Sequence, residues 1–261
     1  MRKILERMAQ NSMYAIISIV SFLILWAIGV QLSDIKIVMP GPWEVIVDFV
    51  DSFIHPVGRY TMPMHILYSL MRVVPAYIVG SLVGITLGIL MGWYRLINSI
   101  FRPIYELIRP IPPIAWIPIS IVWFGIGEGS KWFLIFLAAF VPVTLNSISG
   151  ARSVDPLLIK CGEMLGASKQ HMFKTIVLPF SVPYIFSGLQ VGLAGSWATV
   201  VAAEMIRSTE GIGWIIISSM DTNDVAQSLV GIMGIGIVGF LLATIMRKVE
   251  DRLCAWTVRE V

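Results

Sequence analysis

Six long stretches of this chain contain no Asp, Glu, Lys or Arg. They are 18 to 29 residues long and cover residues 8–33, 73–94, 110–127, 132–151, 175–203 and 225–246. A helix needs about 20 apolar residues to cross a hydrocarbon core about 30 Å thick. Only 13% of the 261 residues are charged, against about 25% in soluble domains. The runs therefore predict an all-α polytopic membrane protein with six transmembrane helices, and they argue against a soluble globular enzyme.

We predict a single transmembrane domain over residues 1–261. Its spans are expected at about 12–32, 65–94, 110–127, 131–149, 183–206 and 225–247, with a polar loop at 150–182. The first apolar run exceeds the length typical of a signal peptide, so we expect an uncleaved span. The third span is short and begins with prolines at positions 110, 112 and 113. Proline breaks helical hydrogen bonding, so we expect a separate helix before this span.

The positions of the basic residues predict which side of the membrane each segment faces. Lys and Arg accumulate on cytoplasmic segments. With the N-terminus inside, fourteen of the 19 basic residues fall on inside segments, and only Lys36, Arg59, Lys131 and Arg207 fall on outside ones, with Arg72 near a span end. Both termini are therefore expected in the cytoplasm.

Glycines recur at every fourth position of the second predicted span, at Gly80, Gly84, Gly88 and Gly92. This spacing places them on one helical face, where small residues let a neighbouring helix approach closely. The stripe predicts helix packing in preference to a ligand site.

The longest polar stretch, residues 150–174, has the pattern of a helix, a turn and a second helix. Asp155 precedes a proline, as is typical of a helix N-cap. Gly166 is expected to end the first helix because it tolerates a positive φ angle. Ser168 is expected to cap a short second helix at 169–175, and Leu178-Pro179 to redirect the chain into the fifth span.

A motif in this loop resembles a known family signature. Gly166 is followed after nine residues by Ile176-x-Leu178-Pro179, which resembles the cytoplasmic loop of permease subunits of ABC-type importers. The family's Glu-Ala-Ala positions are here Lys160-Cys161-Gly162, so a salt bridge of the family's acidic residue does not carry over. Residues 105–131, 163–193 and 197–219 extend the likeness to the taurine, aliphatic-sulfonate and nitrate subgroup, most of all to its taurine members.

The resemblance implies a type I (MetI-like) importer permease fold and a set of partners. These are a second permease copy, two cytoplasmic ATPase subunits that bind ATP and magnesium, and an external solute-binding protein, in a bacterial inner membrane. It also implies that residues 167–173 dock on the ATPase as a coupling helix. The loop positions that carry this role are Lys160, Cys161, Gly162, Gly166, Ala167, Ser168, Lys169, Phe173, Ile176, Leu178 and Pro179.

No catalytic or cofactor motif is present in the sequence. A G-x-x-x-x-G-K-[ST] phosphate-binding loop is missing. His55, His65 and His171 lack the spacing of metal ligands, and no nucleophile and base pattern is recognisable. The net charge of +3 follows from the membrane topology and requires no nucleic-acid partner. The chain is therefore expected to be a permease without cofactor, metal or enzymatic activity of its own.

Five residues are candidates for a translocation pathway. Glu204 ends a long uncharged run and needs a partner or water in a membrane; the alternative is a helix-end carboxylate paired with Arg207. Arg72 and Arg109 present guanidinium donors suited to an anion, although both could equally extend to lipid headgroups. Ser196 and Trp197 could line the pathway, but packing is the more common role.

These features predict a permease that imports a small anion such as taurine. Nitrate, bicarbonate or another small organic anion in the same importer class is an alternative. An ion-coupled secondary transporter is a second alternative, although such proteins usually keep ionisable residues near mid-membrane. A structural scaffold is a third, and it would tolerate a bulky residue at Gly166. The uncharged run 211–220 also suggests a re-entrant gate.

Overall fold

The computed structural model describes residues 2–32, 39–206 and 208–254. In these residues the chain folds into eleven α-helices, and the only β pairing is an isolated bridge between Val57 and Tyr60. The helices are α1 (Arg2–Leu32), α2 (Pro42–Asp51), α3 (Met62–Trp93), α4 (Arg95–Ile108), α5 (Ile117–Phe124), α6 (Glu128–Arg152), α7 (Pro156–Met164), α8 (Lys169–Met172), α9 (Leu178–Glu204), α10 (Ile212–Asp221) and α11 (Val225–Leu253).

Within the described part of the chain, four helical segments are long and apolar enough to cross a membrane. They are α3, α6, the continuous helical segment Lys169–Glu204, and α11. A fifth candidate is the bent pair Arg95–Ile108 and Pro113–Phe124. Helix α1 contains most of the first uncharged run, and its segment Ile16–Leu32 is apolar. The all-α membrane fold is thus observed, whereas the count of six spans stays a prediction.

The bend between α4 and α5 lies at the prolines that begin the predicted third span. The helix axes change direction by 88°, and a 3-10 turn at Pro113–Trp116 leads into α5. Pro110, Pro112 and Pro113 have no backbone N–H, so a continuous helix cannot form across them. The predicted span 110–127 is therefore a turn followed by a helix of only eight residues.

The chain divides into two compact units. The first comprises the described residues within Met1–Met62 and Ile215–Gly234, and the second those within Pro63–Trp214 and Ile235–Val261. In the first unit, Pro42 starts α2, which buries Val45 and Phe49 on one face and leaves Trp43 exposed.

The core of the second unit lies among α3, α6, α9 and the second half of α11. Val73, Ile135, Val200 and Ile212 are fully buried there. A second buried cluster includes Ile89, Ala151, Val154 and Val177, and it joins the end of α3 to the polar loop.

The glycine stripe of α3 packs directly on α6. A Cβ atom added to Gly80 would lie 2.7 Å from the Phe136 carbonyl oxygen, and one added to Gly88 would lie 2.6 Å from the Thr144 carbonyl oxygen. Such contacts are shorter than any real Cβ atom makes. The predicted packing role of the stripe is therefore confirmed.

Candidate functional site

The polar loop has the predicted helix, turn and helix arrangement. Asp155 Oδ1 accepts a hydrogen bond from the Leu157 N–H at 2.8 Å and caps α7. The chain then turns at Gly166, whose φ is +76°. The N–H groups of Gly166 and Ala167 donate to the carbonyl oxygens of Glu163 and Gly162. This is the Schellman pattern, which uses glycine because a side chain is disfavoured at positive φ.

The second helix of the loop is continuous with the long helix that follows. Ser168 Oγ accepts from the His171 N–H at 3.2 Å and caps α8. A single π turn, Phe173–Val177, then leads into α9 without a break. The expected redirection at Leu178-Pro179 is wrong, because the helix continues through Pro179.

Aromatic rings hold the loop against the end of α3. The Phe173 ring centroid lies 6.2 Å from that of Trp93 and 6.0 Å from that of Tyr94. Met172 is buried, and its Sδ atom lies 3.0 Å from the position of a Cβ atom added to Gly162. The turn itself is apolar and open, since Met164 and Leu165 are 87% and 88% exposed.

A buried ion cluster joins the other ends of the helices. Arg72 of α3 contacts Glu128 at the start of α6, Glu204 at the end of α9, and Glu210 before α10, with N–O distances of 2.7 to 2.9 Å. Lys131 Nζ lies 2.9 Å from Glu128. The Glu204 side chain is completely buried, and that of Arg72 is 5% exposed. Arg207, the alternative partner considered for Glu204, lies outside the described residues.

All five N–H groups of Arg72 donate hydrogen bonds. Nε donates to Glu128, one terminal nitrogen donates to Glu204 and to the Glu210 carbonyl oxygen, and the other donates to Glu128 and Glu210. A guanidinium has no further donors. Arg72 can therefore contact an anion only by releasing one of these carboxylates.

The backbone around residue 211 closes on Glu204. Gly213 N–H and Ser69 Oγ both donate to Glu204 Oε2, at 3.0 and 2.9 Å. Gly211 has φ +111°, and a Cβ atom there would collide with the Glu204 carboxylate. Its N–H donates to Nδ1 of His65, which stacks on Trp214. These contacts tie the connection between α9 and α10 to α3.

A groove of about 380 Å³ runs between the α4–α5 bend and the helices α6 and α9. Its walls include Arg109, the prolines of the bend, Trp116, Val141, Gly195, Ala198 and Thr199. A separate, smaller cavity of about 100 Å³ lies further along α9, at Ala203. Gly127, Ser130 and Lys131 also line it. The same face of α9 lines both cavities, since Gly195, Thr199 and Ala203 are four residues apart.

The five predicted pathway residues do not lie together in the structure. Arg72 and Glu204 meet in the ion cluster, and Arg109 lines the groove. Ser196 Oγ donates to the Ile135 carbonyl oxygen, and Trp197 Nε1 donates to that of Ile235. Both side chains are buried, which favours the packing alternative for them.

Sequence reasoning missed Glu128 and Glu210 as partners of Arg72, and Trp116 and Thr199 as groove residues. A signal for the ion cluster was present. Arg72, Glu128, Lys131, Glu204 and Glu210 each border an uncharged run on the side predicted to be external. No comparable pattern marks Trp116 or Thr199.

Comparison with known proteins identifies the family of this helical arrangement. Residues 84–253 match the family model of the binding-protein-dependent transport system inner membrane component. The chain belongs to this family. It is accordingly a membrane-spanning permease of the ABC importer class, and the expectation of a permease chain rather than an ATPase is confirmed.

Relatives with assigned names match over most of their length. The chain is 36% identical to the taurine transport system permease protein TauC of Escherichia coli, over 88% of this chain and 84% of that protein. It is also 36% identical to a putative ABC transporter permease protein of Methanocaldococcus jannaschii, over 89% and 88% of the two chains. The nitrate import permease protein NrtB of Synechocystis is 35% identical, over 72% and 68%.

A solved structure has the same fold. The inward-facing MetNI methionine ABC transporter includes a chain that superposes with a TM-score of 0.59 at 17% identity, covering 76% of this chain and 97% of that one. The predicted type I importer fold is therefore confirmed.

Proposed function

We propose that this chain forms the translocation pathway of an ATP-driven importer of a small anion, most closely a taurine-type sulfonate. It works with a second copy of itself, two cytoplasmic ATPase subunits that bind ATP and magnesium, and an external solute-binding protein. Both termini and the loop 150–182 face the cytoplasm of a bacterial cell, and the chain lies in the inner membrane.

One observation carries the proposal: the loop and the groove wall belong to one helical body. Helix α8, the π turn and α9 are continuous from Lys169 to Glu204, and the same α9 lines the groove at Gly195 and Thr199. A displacement of α8 is therefore transmitted to the groove wall. This is the mechanical connection that a permease driven by a separate ATPase requires.

The surface of the loop supports a partner in the cytoplasm. Met164 and Leu165 form an exposed apolar tip beside the Gly166 turn, and exposed apolar patches indicate interaction surfaces. Lys160, Cys161 and Lys169 are exposed nearby. A groove on the ATPase that covers this tip would bury the apolar side chains and hold α8.

The anionic substrate class is supported by the named relatives and by charge. Permeases named for taurine and nitrate match this chain, and so does the bicarbonate transport system permease protein CmpB of Synechococcus elongatus, at 31% identity. Arg109 lies at one end of the groove and Lys131 lines the smaller cavity. Cations along the route favour a small anion, and taurine is the first candidate to test.

The experiment is uptake of labelled taurine into vesicles containing the reconstituted permease, ATPase and binding protein. Wild-type protein should import taurine only with ATP. Leu165→Glu places a charge on the apolar tip without disturbing buried contacts, so it should reduce uptake and substrate-stimulated ATP hydrolysis at least tenfold. Leu157→Glu is the matched control. Leu157 is also an exposed leucine, but it lies at the start of α7, whereas Leu165 follows the end of this helix. It should retain at least half of the wild-type uptake.

Two outcomes would contradict the proposal. Uptake that continues without ATPase and binding protein would exclude an ATP-driven importer. Uptake that survives ATP depletion and disappears with the ion gradient would identify an ion-coupled secondary transporter instead.

A further inference from the structure

We infer that the groove beside α9 contains an oxyanion-binding site formed by the Trp116 indole N–H and the Arg109 guanidinium, with the Thr199 hydroxyl on the α9 wall of the same groove. The ligand is a sulfonate or a similar small oxyanion. This inference rests on the proposed import of a small anion and names residues that select it.

Trp116 provides the first reason. Its Nε1 atom is buried and has no hydrogen-bond partner among the described residues, although Trp116 lines the groove. A buried donor without a partner is unfavourable, and such groups are rare in native proteins. A small rotation of the Trp116 ring would turn this donor into the groove, where an oxyanion would accept its hydrogen bond.

Arg109 provides the second reason, because its charge is only weakly engaged. Among the described residues its nearest carboxylate is that of Glu106, at 3.6 Å, and both side chains are more than 40% exposed. This distance is longer than a hydrogen bond. Arg72, in contrast, has every donor in use. Arg109 can therefore bind an anion without breaking a buried network.

The groove also has room for such a ligand. Its volume of about 380 Å³ falls within the range of about 300–1,000 Å³ typical of small-molecule sites. Gly195 and Ala198 line the α9 wall, and their small size leaves the groove open beside Arg109 and Trp116. Apolar walls with a few polar donors are the usual composition of a site for a small polar ligand.

Trp116→Phe tests the site most directly because it removes the N–H and keeps the aromatic ring. Loss of a hydrogen bond to a charged ligand weakens binding about tenfold or more, so we expect about a tenfold or greater fall in uptake by the reconstituted importer at taurine concentrations below saturation. Trp123→Phe is the matched control. Trp123 also contacts the Phe133 ring edge to face, but its side chain is exposed and lies outside the groove walls. It should change uptake less than twofold.

A purely structural role is distinguished by selectivity. Arg109→Gln and Trp116→Phe should change the ratio of taurine to nitrate uptake at least threefold, while the melting temperature in detergent and the ATPase rate without substrate stay at wild-type values. Equal losses for both anions accompanied by a lower melting temperature would overturn the inference.

The inference and the proposed function fail in different ways. If wild-type protein imports taurine with ATP and Trp116→Phe matches it in rate and selectivity, the site is wrong and the importer stands. If wild-type protein imports none of the tested anions despite active ATPase and binding protein, the proposed function fails and the site with it.

Discussion

At the scale of single residues, the ion cluster depends on Arg72. Three carboxylates converge on its guanidinium, and Glu204 has no exposure to solvent. An arginine is suited to this position because its planar fork can bind several carboxylates at once, whereas lysine offers a single point charge. The cluster therefore holds α3, α6 and α9 together at one end of the helical core.

We expect Arg72→Met to destabilise the protein by about 3–5 kcal/mol, because removing one partner leaves buried charges uncompensated. Thermal unfolding in detergent measures the effect as a lower melting temperature. Arg102→Met is the matched control: Arg102 pairs with Glu106 at 3.7 Å on the surface, and exposed pairs contribute at most about 1 kcal/mol. Equal melting temperatures for the two variants would show that the cluster is dispensable.

At the scale of helices, the glycine stripe determines how closely α3 approaches α6. Adding a Cβ atom at Gly88 brings it within 2.6 Å of both Ser147 Cβ and the Thr144 carbonyl oxygen. Backbone cannot yield as a flexible side chain can. The two helices would have to separate, and the core residues that they share would lose contact.

Gly88→Ala should therefore destabilise the protein by about 1–3 kcal/mol, the usual cost of overpacking. Gly236→Ala in α11 is the control, because no atom of the described residues lies within 4 Å of its added Cβ. This second change should be neutral or stabilising by up to about 1 kcal/mol, since alanine favours helix over glycine. The measurement is the melting temperature of each variant and of the wild type in one detergent. A Gly88→Ala protein with the wild-type melting temperature would contradict the packing described for α3 and α6.

At the scale of the whole molecule, the two cysteines provide a test of membrane orientation. Cys161 is exposed in the polar loop, and Cys254 is buried at the end of α11. In a Cys254→Ser variant, a membrane-impermeant maleimide should label Cys161 in inside-out vesicles and leave it unlabelled in right-side-out ones. Labelling of intact cells from outside would invert the proposed topology.

Much of this fold follows from local properties of the chain. Uncharged runs of about 20 residues predict helices in a membrane because backbone polar groups must be satisfied without water. The caps at Asp155 and Ser168 and the turn at Gly166 depend on neighbouring residues only, and all three are observed. The motif that ends at Pro179 indicated the family without any knowledge of packing.

Contacts between distant segments were decided by the tertiary structure. The sequence singled out Arg72 and Glu204, 132 positions apart, but no local pattern pairs them or adds Glu128 and Glu210. The groove arises where the α4–α5 bend faces α6 and α9, so Trp116 becomes notable only once its N–H is seen to be buried without a partner among the described residues. Helix formation depends on interactions between residues a few positions apart, whereas charge pairing and cavity shape depend on which helices become neighbours.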